Sequence, residues 1–85
     1  MNVLIADDDK LILETIRKYV DYRGDVSFLA SDGSEALAVM KKESIDLVIT
    51  DIQMPGISGF ELMKTINEER PELPVIIITG YAEME

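Results

Sequence analysis

The chain has 85 residues, of which 8 are Lys or Arg and 17 are Asp or Glu, so its formal charge at pH 7 is −9. This length has room for one domain, and 47% hydrophobic with 29% charged residues is typical of a chain that folds. The acidic balance argues against direct nucleic-acid binding by this segment. The chain has no Cys and no His, which excludes disulfides, zinc sites and imidazole or thiol catalysis within it.

The apolar runs of the chain are short. The longest, at residues 3–6 and 75–78, are far below the length that spans a bilayer. The amino terminus also lacks a basic region followed by a long apolar segment. We therefore expect a cytoplasmic protein with no membrane partner, whose chemistry uses carboxylates, hydroxyls, amides and Lys.

Taken in chain order, the first half of the sequence predicts strand, helix, strand and helix. Residues 2–6 form a short apolar strand, and residues 11–20 carry apolar side chains at helical spacing before Gly24. Residues 25–30 form a second strand, after which Asp32 is placed to cap a second helix.

The second half repeats this alternation. Residues 46–50 form an apolar strand, and the third helix opens at a capping box, Ser58 with Glu61, and stops before Pro71. Residues 74–79 form the fourth strand. Strands that are apolar throughout and separated by helices predict a parallel sheet covered on both faces, so the fold class is α/β, doubly wound, in the order βαβαβαβ.

Polar side chains follow three of these strands. Asp7, Asp8 and Asp9 come after the first strand, Asp51 after the third, and Thr79 closes the fourth. Since parallel strands end at the same edge of a sheet, we expect these groups to meet there. Crowded carboxylates repel one another, so a hard divalent cation is expected, and Mg²⁺ leaves one Asp free to act as a nucleophile. Asp9 is predicted to be a helix N-cap instead.

This combination resembles the receiver domain of two-component response regulators, the CheY-like family. The matching residues occur in the family's order and spacing over nearly the whole chain: Asp7-Asp8, Asp51, the loop Met54-Pro55-x-x-x-Gly59, and Thr79. The resemblance implies a flavodoxin-like sheet with strand order 2-1-3-4.

The resemblance also implies a function. Asp51 would be the phosphoacceptor, receiving a phosphoryl group from a histidine kinase or a phosphotransfer protein. Mg²⁺ would be held by Asp7, Asp8 and Asp51, together with the main-chain carbonyl of Gln53. Phosphoryl transfer depends mainly on positioning and charge neutralisation, which such a site supplies.

Two further positions follow from the resemblance. The Thr79 hydroxyl would donate a hydrogen bond to the phosphoryl group and report phosphorylation to the rest of the domain. In the family, residues two beyond the phosphoacceptor and two beyond this Thr tune the lifetime of the phosphoryl group, and here they are Gln53 and Tyr81. The protein would be a signalling switch and not an enzyme, with at most self-catalysed phosphotransfer and autodephosphorylation.

The sequence departs from the family in its length. A complete receiver has a fifth strand that brings a Lys to the phosphoryl group, and no basic residue follows strand four here. We therefore interpret residues 1–85 as a receiver domain that is incomplete at the C-terminus, and expect impaired phosphotransfer. Without a fifth strand, strand four is an apolar edge, which predicts a homo-oligomer through it.

Two other functions fit parts of the pattern. The first is a non-phosphorylated α/β assembly or oligomerisation module, in which the acids have no ligand. The second is an aspartate-dependent phosphatase of the haloacid dehalogenase type, which also uses a strand-end Asp with Mg²⁺. That family places a second Asp two residues after the nucleophile, and Gln53 occupies this position.

Overall fold

The computed structural model describes residues 1–78, in which three helices pack on a four-stranded parallel sheet. The strands are β1 (Asn2–Ala6), β2 (Val26–Ala30), β3 (Leu47–Asp51) and β4 (Val75–Ile78), and the helices are α1 (Lys10–Tyr22), α2 (Gly33–Lys42) and α3 (Gly59–Glu69). The predicted order βαβαβαβ is confirmed. Each helix within residues 1–78 is too short or too polar to cross a membrane.

The strands lie in the order β2-β1-β3-β4, as predicted. In the central strand β1, Ala6 is aligned with Ala30 of β2 and with Thr50 of β3. At the other side of β3, Asp51 is aligned with Ile78 of β4. This register brings the carboxyl ends of the four strands to one edge of the sheet.

Both faces of the sheet are apolar because helices cover both of them. On one face, Leu4 and Ala6 belong to the larger buried cluster, to which α2 and α3 also contribute. On the other face, Val3 and Ile5 belong to a smaller cluster with residues of α1. Successive side chains of a strand point to opposite faces, which explains why β1 is apolar at every position.

The structure shifts four predicted strand boundaries, since β2, β3 and β4 each begin one residue later than predicted and β3 also ends one residue later. β2 begins one residue later than predicted, because the N–H of Asp25 donates to the carbonyl of Val20 at the end of α1 (3.2 Å). β3 runs one residue further, because Asp51 pairs with Ile78 in the ladder to β4. Thr79, predicted as the last residue of strand four, lies outside the described residues.

Each helix begins at a capping side chain. Asp9, Asp32 and Ser58 accept a hydrogen bond from an N–H of the first turn of α1, α2 and α3, respectively. The capping box predicted for α3 is present, and both of its hydrogen bonds form between Ser58 and Glu61. These caps begin the helices close to the edge where the strands end.

Candidate functional site

Three carboxylates meet at the carboxyl edge of the sheet. Asp7 and Asp8 directly follow β1, and Asp51 is the last residue of the adjacent strand β3. One carboxylate oxygen from each residue lies within 4.8 Å of the other two. The parallel pairing of β1 with β3 is the physical reason, since it aligns the two strand ends.

Asp7 is the buried member of this cluster. Its side chain is 1% exposed, and its Oδ1 accepts a hydrogen bond from the N–H of Asp9 at 2.9 Å. Its Oδ2 is buried without a hydrogen-bond partner among the described residues. Burial raises the pKa of Asp7 above 3.8, the negative charges of Asp51 and Asp8 raise it further, and the N–H of Asp9 opposes this rise.

The other two carboxylates connect the cluster to solvent. Asp8 is exposed and Asp51 is half-buried. The Oδ1 of Asp51 accepts a hydrogen bond from the N–H of Ile52 at 2.8 Å, which fixes the orientation of this carboxylate. A ligand therefore approaches the cluster from the solvent side, with the carboxylate of Asp7 at its base.

The loop at residues 52–58 is tied to Asp51 by its backbone. The N–H of Gly59 donates to the carbonyl of Ile52 at 2.8 Å. A Cβ atom at position 59 would lie 2.0 Å from the carbonyl oxygen of Asp51, so only glycine permits this contact. The buried Thr50 places its hydroxyl oxygen 3.0 Å from the same carbonyl oxygen and 3.9 Å from Sδ of Met54.

These carboxylates suit a hard divalent cation. Three acidic oxygens within 4.8 Å of one another repel unless a positive charge compensates them. The unpartnered Oδ2 of Asp7 offers a further lone pair that no described residue uses. Mg²⁺, which prefers oxygen ligands and retains several waters, fits this donor set.

The structure locates most of the predicted site residues. It brings together Asp7, Asp8 and Asp51, and it places Gln53 in the exposed part of the loop that follows β3. Asp9 caps α1 by accepting the N–H of Leu11 at 2.9 Å. The predictions for Thr79 and Tyr81 lie outside the described residues.

Two contacts near the site were not predicted from the sequence. Thr50 ends the predicted third strand, and the sequence signal for its contacts is a hydroxyl directly before Asp51. Gly33 is the first residue of α2 and touches Ile57 of the loop. The sequence signal for this contact is a glycine directly after the capping residue Asp32.

The comparison with protein families matches the chain to the response regulator receiver domain over residues 3–85. Among curated proteins, the chain is 36% identical over 83 residues to response regulator RR06 of Streptococcus pneumoniae serotype 2, covering 98% of this chain and 38% of that protein. It is 30% identical over 80 residues to response regulator MprA of Mycobacterium leprae, covering 94% of this chain and 35% of that protein. The chain thus spans little more than a third of these relatives.

Solved structures agree with this comparison. The response regulator TrrA of Thermotoga maritima, in complex with Mg²⁺-BeF, is 34% identical with a TM-score of 0.90, covering 95% of this chain and 70% of that chain. A response regulator receiver domain protein of Clostridium thermocellum is 35% identical with a TM-score of 0.86, covering 92% of this chain and 64% of that chain.

Proposed function

Because this chain belongs to the response regulator receiver family, we propose that it is a phosphoacceptor switch whose Asp51 receives a phosphoryl group from a histidine kinase or a phosphotransfer protein. The observation that carries this proposal is the cluster of Asp7, Asp8 and Asp51 oxygens within 4.8 Å of one another. The buried, unpartnered Oδ2 of Asp7 supports it, because a buried acid with a purely structural role would have a hydrogen-bond donor at each of its oxygens.

The same residues would hold Mg²⁺. Asp7, Asp8 and Asp51 would supply carboxylate oxygens, and the main-chain carbonyl of Gln53 would supply another. Held there, Mg²⁺ would neutralise negative charge on the carboxylates and on the phosphoryl group. The complex of TrrA with Mg²⁺-BeF supports this assignment by similarity.

In the proposed reaction, a carboxylate oxygen of Asp51 attacks the phosphorus of a phosphohistidine. The new O–P bond forms as the N–P bond breaks, and the imidazole leaves with the bonding electron pair and takes up a proton. The hydrogen bond from the N–H of Ile52 orients the attacking carboxylate before the reaction. The half-buried position of Asp51 leaves it accessible to a partner's phosphoryl group.

Thr79 and Tyr81 belong to the same proposal. The Thr79 hydroxyl would donate to the phosphoryl group and act as the switch, and Tyr81 and Gln53 would tune the lifetime of the phosphoryl group. The support is the register of β4, in which Ile78 is aligned with Asp51 and its carbonyl accepts the N–H of Ile52 at 3.2 Å. The described part of β4 therefore ends beside Asp51.

For residues 1–85, interpreted as a receiver domain, the proposal also includes self-association of two copies of the chain through β4. β4 lies at one edge of the sheet formed by the described strands. Its Ile76 side chain is 47% exposed, and with Leu47 and Ile49 it lines an apolar groove of about 280 Å³ beside α1. An apolar strand edge next to an apolar groove favours pairing with a second copy of the chain. It also keeps open the alternative of an assembly module that is not phosphorylated.

The two functions differ in their response to a phosphodonor. We expect a fraction of the chain, mixed with Mg²⁺ and acetyl phosphate, to gain the mass of one phosphoryl group in intact-protein mass spectrometry, at a low rate because phosphotransfer is expected to be impaired in residues 1–85. Asp51→Asn should abolish the gain. Asp9→Asn is the matched control, because it removes a nearby acid, lies outside the three-carboxylate cluster, and leaves an N-cap that asparagine also forms.

A wild-type chain that gains no phosphoryl group with Mg²⁺ and acetyl phosphate would contradict the phosphoacceptor proposal. An equal gain in wild type and Asp51→Asn would contradict the assignment of the phosphoacceptor. In the first case, an assembly module would be the better description, and its oligomeric state is tested separately below.

A further inference from the structure

We propose that Gly33 is a positioning residue for the acidic site, and that it sets the position of the 52–58 loop by allowing α2 to touch Ile57. A Cβ atom at position 33 would lie 2.6 Å from Cβ of Ile57, 2.9 Å from its carbonyl oxygen and 3.1 Å from its Cγ2. One of these neighbours is a backbone atom, so rotation of the Ile57 side chain alone does not make room. The inference rests on the proposed function, since it concerns how that site is held.

Hydrogen bonds and packing hold the first turn of α2 in place. The Asp32 carboxylate accepts the N–H of Glu35 at 2.8 Å, and the carboxylate of Glu35 accepts the N–H of Ser31 at 2.6 Å. Ala36, one turn further on, is completely buried in the larger cluster. α2 therefore has little freedom to move away from Ile57.

The first turn of α2 is also connected to Asp7. β2, which leads into α2, is paired with β1 along its length. Just beyond that ladder, the N–H of Asp7 donates to the carbonyl of Ala30 at 3.0 Å. The start of α2 thus has a defined position relative to the buried carboxylate of the site.

Packing and a close backbone contact also hold the 52–58 loop in place. Ile57 packs against the larger buried cluster, and Met54 is buried within that cluster. Gly59 closes the loop against the backbone of Asp51. A displacement at Ile57 is therefore absorbed between residues 52 and 58, the segment that contains Gln53.

These contacts form a closed ring around the site. Asp7 is hydrogen-bonded to the end of β2, which leads to Gly33, and Gly33 contacts Ile57. The loop connects Ile57 back to Asp51, the last residue of β3, and β3 pairs with β1, which leads to Asp7. Gly33 thus controls where the main chain of Gln53 lies relative to the carboxylates.

The test is a Mg²⁺ titration of the full 85-residue chain and its Gly33→Ala variant, followed by ¹H–¹⁵N NMR spectra. Without Mg²⁺, we expect the amide resonances of Gln53 and Ile57 to move in Gly33→Ala while those of β1 and β3 stay in place. With Mg²⁺, we expect the dissociation constant to rise about 10-fold or more, as for other changes to groups that support metal ligands. Ser34→Ala, an exposed change in the same turn of α2, should alter neither readout.

A double variant separates this contact from a general effect on α2. Ile57→Gly removes the Cβ and Cγ2 atoms that face position 33 and leaves only the carbonyl oxygen of residue 57 close to it, so adding Gly33→Ala to Ile57→Gly should weaken Mg²⁺ binding less than adding it to wild type. If Gly33→Ala does not fold, Ile57→Ala provides the second measurement. It removes Cγ2 from the contact and leaves α2 intact, and we expect it to weaken Mg²⁺ binding.

Each result has a distinct meaning. A folded Gly33→Ala with unchanged Gln53 resonances and unchanged Mg²⁺ affinity would overturn the positioning role and leave the proposed function intact. Equal losses from Gly33→Ala in wild type and in Ile57→Gly would overturn it too, as would unchanged affinity in Ile57→Ala. A wild type without Mg²⁺-dependent shifts at the acidic cluster would count against the proposed function, while the metal-free shift at Gln53 still tests the ring of contacts.

Discussion

Adjacent acids in this chain have opposite environments. Asp7 is buried with an unpartnered oxygen, whereas the next residue, Asp8, is exposed. A buried carboxylate loses most of its hydration, and this loss is greatest for the charged form. Asp7 therefore opposes folding when it is ionised and no cation compensates it, which is the pattern expected of a residue retained for binding.

We expect Asp7→Asn to raise the free energy of unfolding at neutral pH, without Mg²⁺, by about 1 kcal/mol. The pKa of Asp7 in the folded chain lies above 3.8, its ordinary value, so the folded state holds the proton more tightly than the unfolded state. The loss of stability caused by ionised Asp7 is absent below pH 3.8 and grows as the pH rises from 3.8 to the pKa of the folded chain. Above that pKa the loss is complete. The difference in free energy of unfolding between Asp7→Asn and wild type should therefore become smaller as the pH is lowered through that interval.

Urea unfolding of both chains across this pH range measures the effect. Asp8→Asn is the control, since Asp8 belongs to the same cluster but is exposed and hydrated. Its effect should be smaller and should depend more on salt. An Asp7→Asn variant that is less stable than wild type at neutral pH would show that the ionised carboxylate contributes to folding.

At the scale of elements, the helix caps determine where the loops near the site end. Ser58 caps α3 at the end of the 52–58 loop, and the Glu61 carboxylate accepts a hydrogen bond from the N–H of Ser58 at 3.1 Å. Gly59 then contacts the backbone of Asp51. The start of α3 thus stabilises the helix and also closes the loop that leaves the phosphoacceptor.

We expect Ser58→Ala to lower the free energy of unfolding by about 1 kcal/mol, because the N–H of Glu61 loses its acceptor. The midpoint of urea denaturation measures this loss. Glu61→Gln is the matched control, since glutamine keeps an oxygen that accepts from the N–H of Ser58. If Ser58→Ala and Glu61→Gln have the same small effect, the capping box does not stabilise α3 in solution.

At the scale of the whole molecule, the two edges of the described sheet are different. β2 lies at one edge and β4 at the other. Val26 of β2 is 52% exposed, but the rest of that strand includes the polar Ser27 and the half-buried Phe28 and Leu29. β4 consists of valine and three isoleucines and adjoins the apolar groove beside α1. The apolar edge is therefore on the side of β4.

We expect the chain to self-associate as its concentration rises, and Ile76→Lys to shift it to the monomer. Pairing with a second strand would remove the charged lysine side chain from water, so a lysine on an edge strand opposes such pairing. Size-exclusion chromatography with light scattering measures the mass. Val26→Lys, an exposed apolar residue on the opposite edge, should leave the association unchanged, and a wild type that is monomeric at every concentration would contradict the proposal.

Much of the fold could be predicted from the sequence because its signals are local. Helical spacing before Gly24, the cap at Asp32 and the capping box at Ser58 each depend on residues only a few positions apart. Strands that are apolar throughout indicated a parallel sheet, and parallel strands end at one edge. The meeting of Asp7 with Asp51 follows from that topology alone, whereas their roles with Mg²⁺ and phosphate stay predictions.

The sequence by itself thus determined the order of the elements, the class of the sheet and the edge at which the acids gather. Only the tertiary structure decided that Asp7 and not Asp8 is buried, and that the loop after Asp51 is held by Gly59 and Gly33. The reason is that local preference depends on neighbours along the chain. Burial and close contact instead depend on how residues far apart in sequence share the same volume.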